Sequence, residues 1–110
     1  MIDKTLKDLE ERIRASASIS KEKKSELLKL VSSLESEIGE LAKTKAEEAE
    51  SIAGFTKLSA YEATRRKKDR NLLELSLKGL SQSVKEFEVS HPKLVEGINA
   101  IATMLANMGI

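Results

Sequence analysis

The sequence predicts an all-α fold: a long antiparallel helical hairpin with two short helices packed at one end, as a single domain over residues 1–110. Three observations carry this prediction. Charged residues make up 34% of the chain, aromatic residues 3%, and there is one proline, the profile of long helices or a coiled coil. Apolar residues recur in alternating steps of three and four, the period of a helix face. Candidate caps and stops punctuate these stripes.

The first helix is expected at about residues 3–16. Asp3 can cap it, and Ile2, Leu6, Leu9 and Ile13 form its stripe. It fades where small polar residues cluster, Ala15 to Ser18. Ser18 or Ser20 can start a second helix, with Glu22 near the positive end of its dipole. Leu27, Val31, Leu34, Ile38 and Leu41 carry the stripe. After a stutter near Gly39, Ala42, Ala46, Ala49 and Ala53 take over. Gly54 reads as the stop. A helix over 21–53 would be about 50 Å long, which argues for a coiled-coil-like hairpin. Its alanine half buries little area, so it is expected to be the less stable part.

Ser59 to Glu62 has the spacing of a capping box, so the third helix is placed at about 60–89. Its first half is polar and basic. Its second half carries Leu73, Leu77, Leu80, Val84 and Phe87, widened by Leu72. Folding the two long helices back across 54–59 gives a four-helix-bundle-like head with a two-helix extension. The Ser90-His91-Pro92 step is a corner, because proline suits a first helical turn and restricts the residue before it. The fourth helix, about 92–108, has the stripe Leu94, Ile98, Ile101, Leu105 and Met108, with Gly109 as its stop. Its flanks are small or apolar: Gly97, Ala100, Ala102, Met104 and Ala106. The first and third helices could cover the stripe but not easily the flanks too, because the first helix is short. A homodimer is therefore expected, with Ile98, Ile101, Ala102, Leu105, Ala106 and Met108 at or near its interface.

The ending, with Phe87-Glu88, then Ser90-His91-Pro92, and finally Asn107-Met108-Gly109-Ile110, resembles a family of short bacterial proteins of unknown function. The resemblance covers about the last 24 residues well. It implies a bacterial source and a small helical protein, and names no catalytic residue.

Several chemistries are disfavoured. The formal net charge is +1, so no global field points to nucleic acid or an anionic membrane. The chain has no cysteine, which removes thiolate ligands, cysteine nucleophiles and disulfides and suits a reducing cytoplasm. The N-terminus lacks a signal-like apolar core. Gly97 to Ile110, about 14 residues, is too short to span a bilayer. His91 is the single imidazole. With Glu88 it makes the Glu-x-x-His spacing of di-iron bundles, but Pro92 puts it at a helix end, and a structural corner is the simpler role. No phosphate loop, metal cluster or nucleophile elbow appears, so neither an enzyme nor a cofactor is expected.

Arg65, Arg66, Lys67, Lys68 and Arg70 could grip phosphates of a polyanion. Tyr61 is the single aromatic nearby, so no stacking platform accompanies them. The hairpin would place them opposite Glu35, Glu37, Glu40, Glu47, Glu48 and Glu50, and mutual neutralisation is the simpler reading. Met104 and Met108 could line an adaptable groove, but they lie at or beside an apolar stripe. The leading expectation is a non-enzymatic, self-associating module that also binds an unidentified protein partner. The alternative is a nucleic-acid or polyanion accessory protein.

Overall fold

The computed structural model describes residues 2–108. Five α-helices follow one another: α1 (Ile2–Ala15), α2 (Lys21–Ala42), α3 (Ala46–Ala63), α4 (Arg70–Val84) and α5 (Pro92–Met108), with a 3-10 turn at Lys85–Phe87 between the last two. No strand occurs among the described residues. The all-α class is as predicted, and so are the outer elements. Leu6, Leu9 and Ile13 of α1 are buried. Ser20 is the cap of α2, its Oγ accepting from the Lys23 N–H at 3.2 Å, and all five stripe residues from Leu27 to Leu41 are buried. In α5, Leu94, Ile98, Ile101 and Leu105 are buried. Pro92 opens that helix, and the His91 carbonyl accepts from the Val95 N–H. The predicted stop at Gly109 lies outside the described residues.

The middle of the chain corrects the predicted hairpin. A single helix over 21–53 does not form. Residues 43–45 separate α2 from α3. End to end, these two helices would span about 60 Å, whereas the longest dimension of the molecule is 37 Å. The chain therefore reverses at Lys43-Thr44-Lys45. The physical reason is phase. The leucine stripe of α2 and the alanine stripe that follows are offset, so one straight helix would aim them at different sides. A reversal turns both toward one core.

The expected stop at Gly54 and the expected capping box at Ser59 both fall inside α3. A glycine costs a helix interior only about 1 kcal/mol relative to alanine. Here Ile52, Ala53 and Thr56 are buried around it. Ser59 is buried rather than capping, and Glu62 accepts from Arg65 Nη1 at 2.8 Å. The helix predicted at 60–89 also divides. Residues 64–69 form the loop, and Asp69 Oδ1 caps α4 by accepting from the Leu72 N–H at 3.1 Å.

In place of a head with an extension, α3 becomes the central element. It packs against α1, α2, α4 and α5, while α2 and α4 make no close backbone approach to each other. Ala49, Ala53, Ala60 and Ala63 are buried along it. Small side chains let neighbouring helices approach closely from several directions. The stretch expected to be the weak tip is thus the middle of the core. The radius of gyration is 12.9 Å, close to the roughly 13 Å of a compact chain this long.

Candidate functional site

The residues expected at an interface on the last helix form no open surface. Ile98, Ile101 and Leu105 are fully buried within the protomer. Ala102, Ala106 and Met108 are half-buried, and Ala102 and Met108 pack on the core. The reason is the cover: α5 meets α2, α3 and α4. The predicted hairpin offered fewer neighbours.

The exposed apolar surface lies elsewhere, on the antiparallel pair α3 and α4. Phe55 is 36% exposed, Leu58 47%, Leu72 43% and Leu75 63%. Positions three apart share a helix face, so each helix presents a pair. The pairs adjoin, because a Cβ added to Gly79, one turn beyond Leu75, would run into the Phe55 ring. Gly79 is therefore the seat of that ring. Leu72 widens this outer face rather than the core stripe of α4, and Phe55 and Leu58 are not in a loop. The spacing of 55 with 58 and of 72 with 75 was the available signal; the misplaced stop at Gly54 hid it.

The basic run occupies the loop between α3 and α4 and the first residue of α4. Arg65 is held by Glu62 at 2.8 Å, and this carboxylate pushes the guanidinium pKa further up. Lys68 Nζ donates to the Met108 carbonyl at 2.8 Å, at the end of α5. Arg66, Lys67 and Arg70 are exposed and form no ion pair among the described residues. The structure adds Arg12 to this end. Its Nε donates to Thr64 Oγ1 at 2.9 Å, its Nη2 to the Tyr61 carbonyl at 3.4 Å, and its guanidinium stacks 4.6 Å from the Tyr61 ring centre. Lys24 Nζ donates to the Arg14 carbonyl at 2.9 Å. Cations thus meet the negative ends of α1, α3 and α5, where they offset the helix dipoles. A shallow groove of about 540 Å³ runs between Arg12, Ser16, Ser18, Arg65, Arg66 and Lys68.

The acidic run does not face these cations. Glu47 and Glu48 start α3, and the basic loop follows its end. From Glu48 to the end of the helix at Ala63 is about 23 Å. That is roughly three Debye lengths at physiological salt. The predicted neutralisation across a hairpin is absent within the protomer.

A different acidic contact joins α1 and α2. A hydrogen bond with Glu10, partial burial, and the charges of Glu10 and Asp3 push the Glu35 carboxyl up to about 7. At the corner before α5, His91 Nδ1 lies 2.9 Å from Ser90 Oγ, and its ring meets Phe87 edge-on at 5.7 Å. Phe87 is buried, so this arrangement anchors the turn. Among the described residues no group of three His, Asp or Glu side chains is placed to hold a metal ion. No helix among them is long and apolar enough to cross a membrane.

Residues 2–110 match the family described as "Domain of unknown function (DUF4404)". The chain belongs to this family. The match spans nearly the whole chain, well beyond the C-terminal stretch that carried the sequence resemblance. No curated protein and no solved structure matches.

Proposed function

We propose that this member of the DUF4404 family is a non-enzymatic cytoplasmic interaction module, and that its working surface is the α3–α4 face. The observation that supports this is the grouping of Phe55, Leu58, Leu72 and Leu75 on one face. The core closes without them: the other stripe residues of the helices are buried or pack against the core. Scattered exposed leucines need no explanation, but a contiguous apolar face with a charged surround marks a contact site. Placing a photo-crosslinking residue at position 58 or 75 in cells should trap a protein adduct. The same residue at Ser33, exposed on α2, should not. Absence of any protein adduct from both 58 and 75 overturns the reading.

A second reading, polyanion binding, is supported by the convergence of Arg12, Arg65, Arg66 and Lys68 around one groove. Each phosphate contact would add salt-dependent affinity. Titrating labelled single- and double-stranded nucleic acid at about 50 and 200 mM salt tests it. Binding that is lost in Arg66→Ala/Lys67→Ala supports it, and no binding at low salt removes it.

A further inference from the structure

We propose that the occupant of the α3–α4 face is a second copy of this chain, packed antiparallel across a two-fold axis at the level of Thr56. This rests on the reading of that face as an interaction surface. It adds the partner and the orientation.

The argument is one of charge arrangement. Positive and negative side chains almost balance over the chain, 19 against 18. Along the α3–α4 pair they are nevertheless segregated. One end holds Arg65, Arg66, Lys67, Lys68 and Arg70 against Glu62 and Asp69. The other holds Glu47, Glu48, Glu50, Glu86 and Glu88 against Lys45 and Lys85. The apolar patch lies between. Thr56 is near the midpoint of this pattern: Glu47 and Glu48 lie about 13 Å before it along α3, and the helix ends at Ala63, where the basic loop begins, about 11 Å after it. A two-fold axis at that level, perpendicular to the helices, brings the patch against its own copy, with Phe55 and Leu58 nearest the axis. It also lays the acidic end of each protomer over the basic loop of the other. A parallel pairing would bring basic loop onto basic loop. The cations that find no carboxylate within the protomer gain one only in the antiparallel pair.

Local shape agrees. Gly54 is exposed, with nothing within 4 Å of the Cβ it lacks, so a facing helix can approach the backbone there. The face is about 27 Å long and about 20 Å wide, the width of two adjacent helices. It offers on the order of 500 Å² per copy. Together these come to about 1,000 Å², the lower bound of specific interfaces. The pair should therefore be a weak, reversible dimer with a micromolar dissociation constant, not an obligate one.

Sedimentation equilibrium of the full chain, from about 5 to 500 µM, decides the matter. The expected result is a monomer–dimer equilibrium that weakens about tenfold between 50 mM and 500 mM salt, since exposed charges are then screened. Leu75→Glu should yield a monomer with an unchanged far-ultraviolet spectrum and melting temperature. Glu47→Arg/Glu48→Arg and Arg66→Glu/Lys67→Glu should each be monomeric, and the chain carrying all four changes should dimerise again. A monomer at 500 µM in low salt overturns the proposal; if a crosslink from position 58 or 75 then traps another protein, the interaction surface itself stands. A dimer that survives Leu75→Glu places the contact elsewhere. A dimer strengthened by salt, or not restored in the fourfold variant, overturns the antiparallel orientation.

Discussion

Ser59 Oγ is buried on α3 and has no hydrogen-bond partner among the described residues. Its neighbours along the helix show how a hydroxyl is satisfied in such a place. Thr56 Oγ1 donates to the Ile52 carbonyl at 2.7 Å, and Thr64 Oγ1 to the Ala60 carbonyl at 2.8 Å. An unpaired buried hydroxyl retains its desolvation cost, about 1–3 kcal/mol, with nothing to offset it. Alanine at 59 would remove the polar atom and add helix propensity. Ser59→Ala is expected to stabilise the fold by about 1 kcal/mol, raising the melting temperature by about 4 °C. A destabilisation of that size would mean that the hydroxyl has a partner. Arg12 is the opposite case: it serves Thr64, Tyr61 and the end of α3 at once, so its loss would leave several groups unpaired.

At the scale of elements, α1 and α2 are joined by a contact with a pH dependence of known sign. The fold favours the protonated form of Glu35, pushing its carboxyl up to about 7 through the hydrogen bond with Glu10, partial burial and nearby negative charge. The folded chain therefore binds this proton more tightly than the unfolded chain, whose value is near 4.5. The stabilisation is full below about pH 4.5 and is lost as the pH rises through about 7. Asp8 acts in the other direction and in another window. Its hydrogen bond to Lys57, at 3.1 Å, lowers its carboxyl below 3.8, so its contribution is lost only as the medium becomes strongly acidic. Urea midpoints should fall between pH 5 and pH 8, and Glu35→Gln should flatten that slope, since its amide can still donate to Glu10. A wild-type midpoint that rises over the interval would contradict the assignment.

The elements also show what a sequence reveals and what it hides. Stripes built of leucine and isoleucine were legible: α1, the Leu27–Leu41 part of α2, the Leu73–Phe87 segment and α5 bury most of the residues that their spacing predicts, with Ile2, Leu77 and Met108 only half-buried. The alanine stripe was not. Alanine marks close approach without saying from how many sides, so a central helix reads the same as a thin two-helix tip. The breaks were hidden for a related reason. Lys43-Thr44-Lys45 carries no glycine or proline; Thr44 and Glu47 have the spacing of a capping box, but α3 starts one residue later, at a Lys45 cap with no side-chain hydrogen bond. Gly54 and Ser59, which looked like punctuation, sit in a helix that tertiary burial holds together. The same misplacement hides the exposed apolar face, since a stop at Gly54 puts Phe55 and Leu58 in a loop.

For the whole molecule, the central position of α3 fixes how the fold should come apart. A head with a two-helix extension would melt in two stages, the alanine-rich tip first. Here every other helix packs on α3, so no helix can keep its full set of contacts once α3 leaves. Local openings should be confined to elements with few partners, such as the ends of α1 and the 64–69 loop, while amides of α3 around Ile52 to Ala60 exchange only on global unfolding. Tyr61 gives a direct probe. It is the single tyrosine, it sits near the end of α3, and both Arg12 and Lys57 lie over its ring, at 4.6 and 5.5 Å. Its fluorescence therefore reports the α1–α3 contact, whereas ellipticity at 222 nm reports all five helices. In urea the two signals should trace one transition with a common midpoint and slope, as a two-state domain of this size does. Measurements are best made at low micromolar concentration and high salt, where a weak dimer is dissociated and cannot shift the midpoint. If the Tyr61 signal changes at lower urea than the helix signal, α3 is not the element on which the others depend.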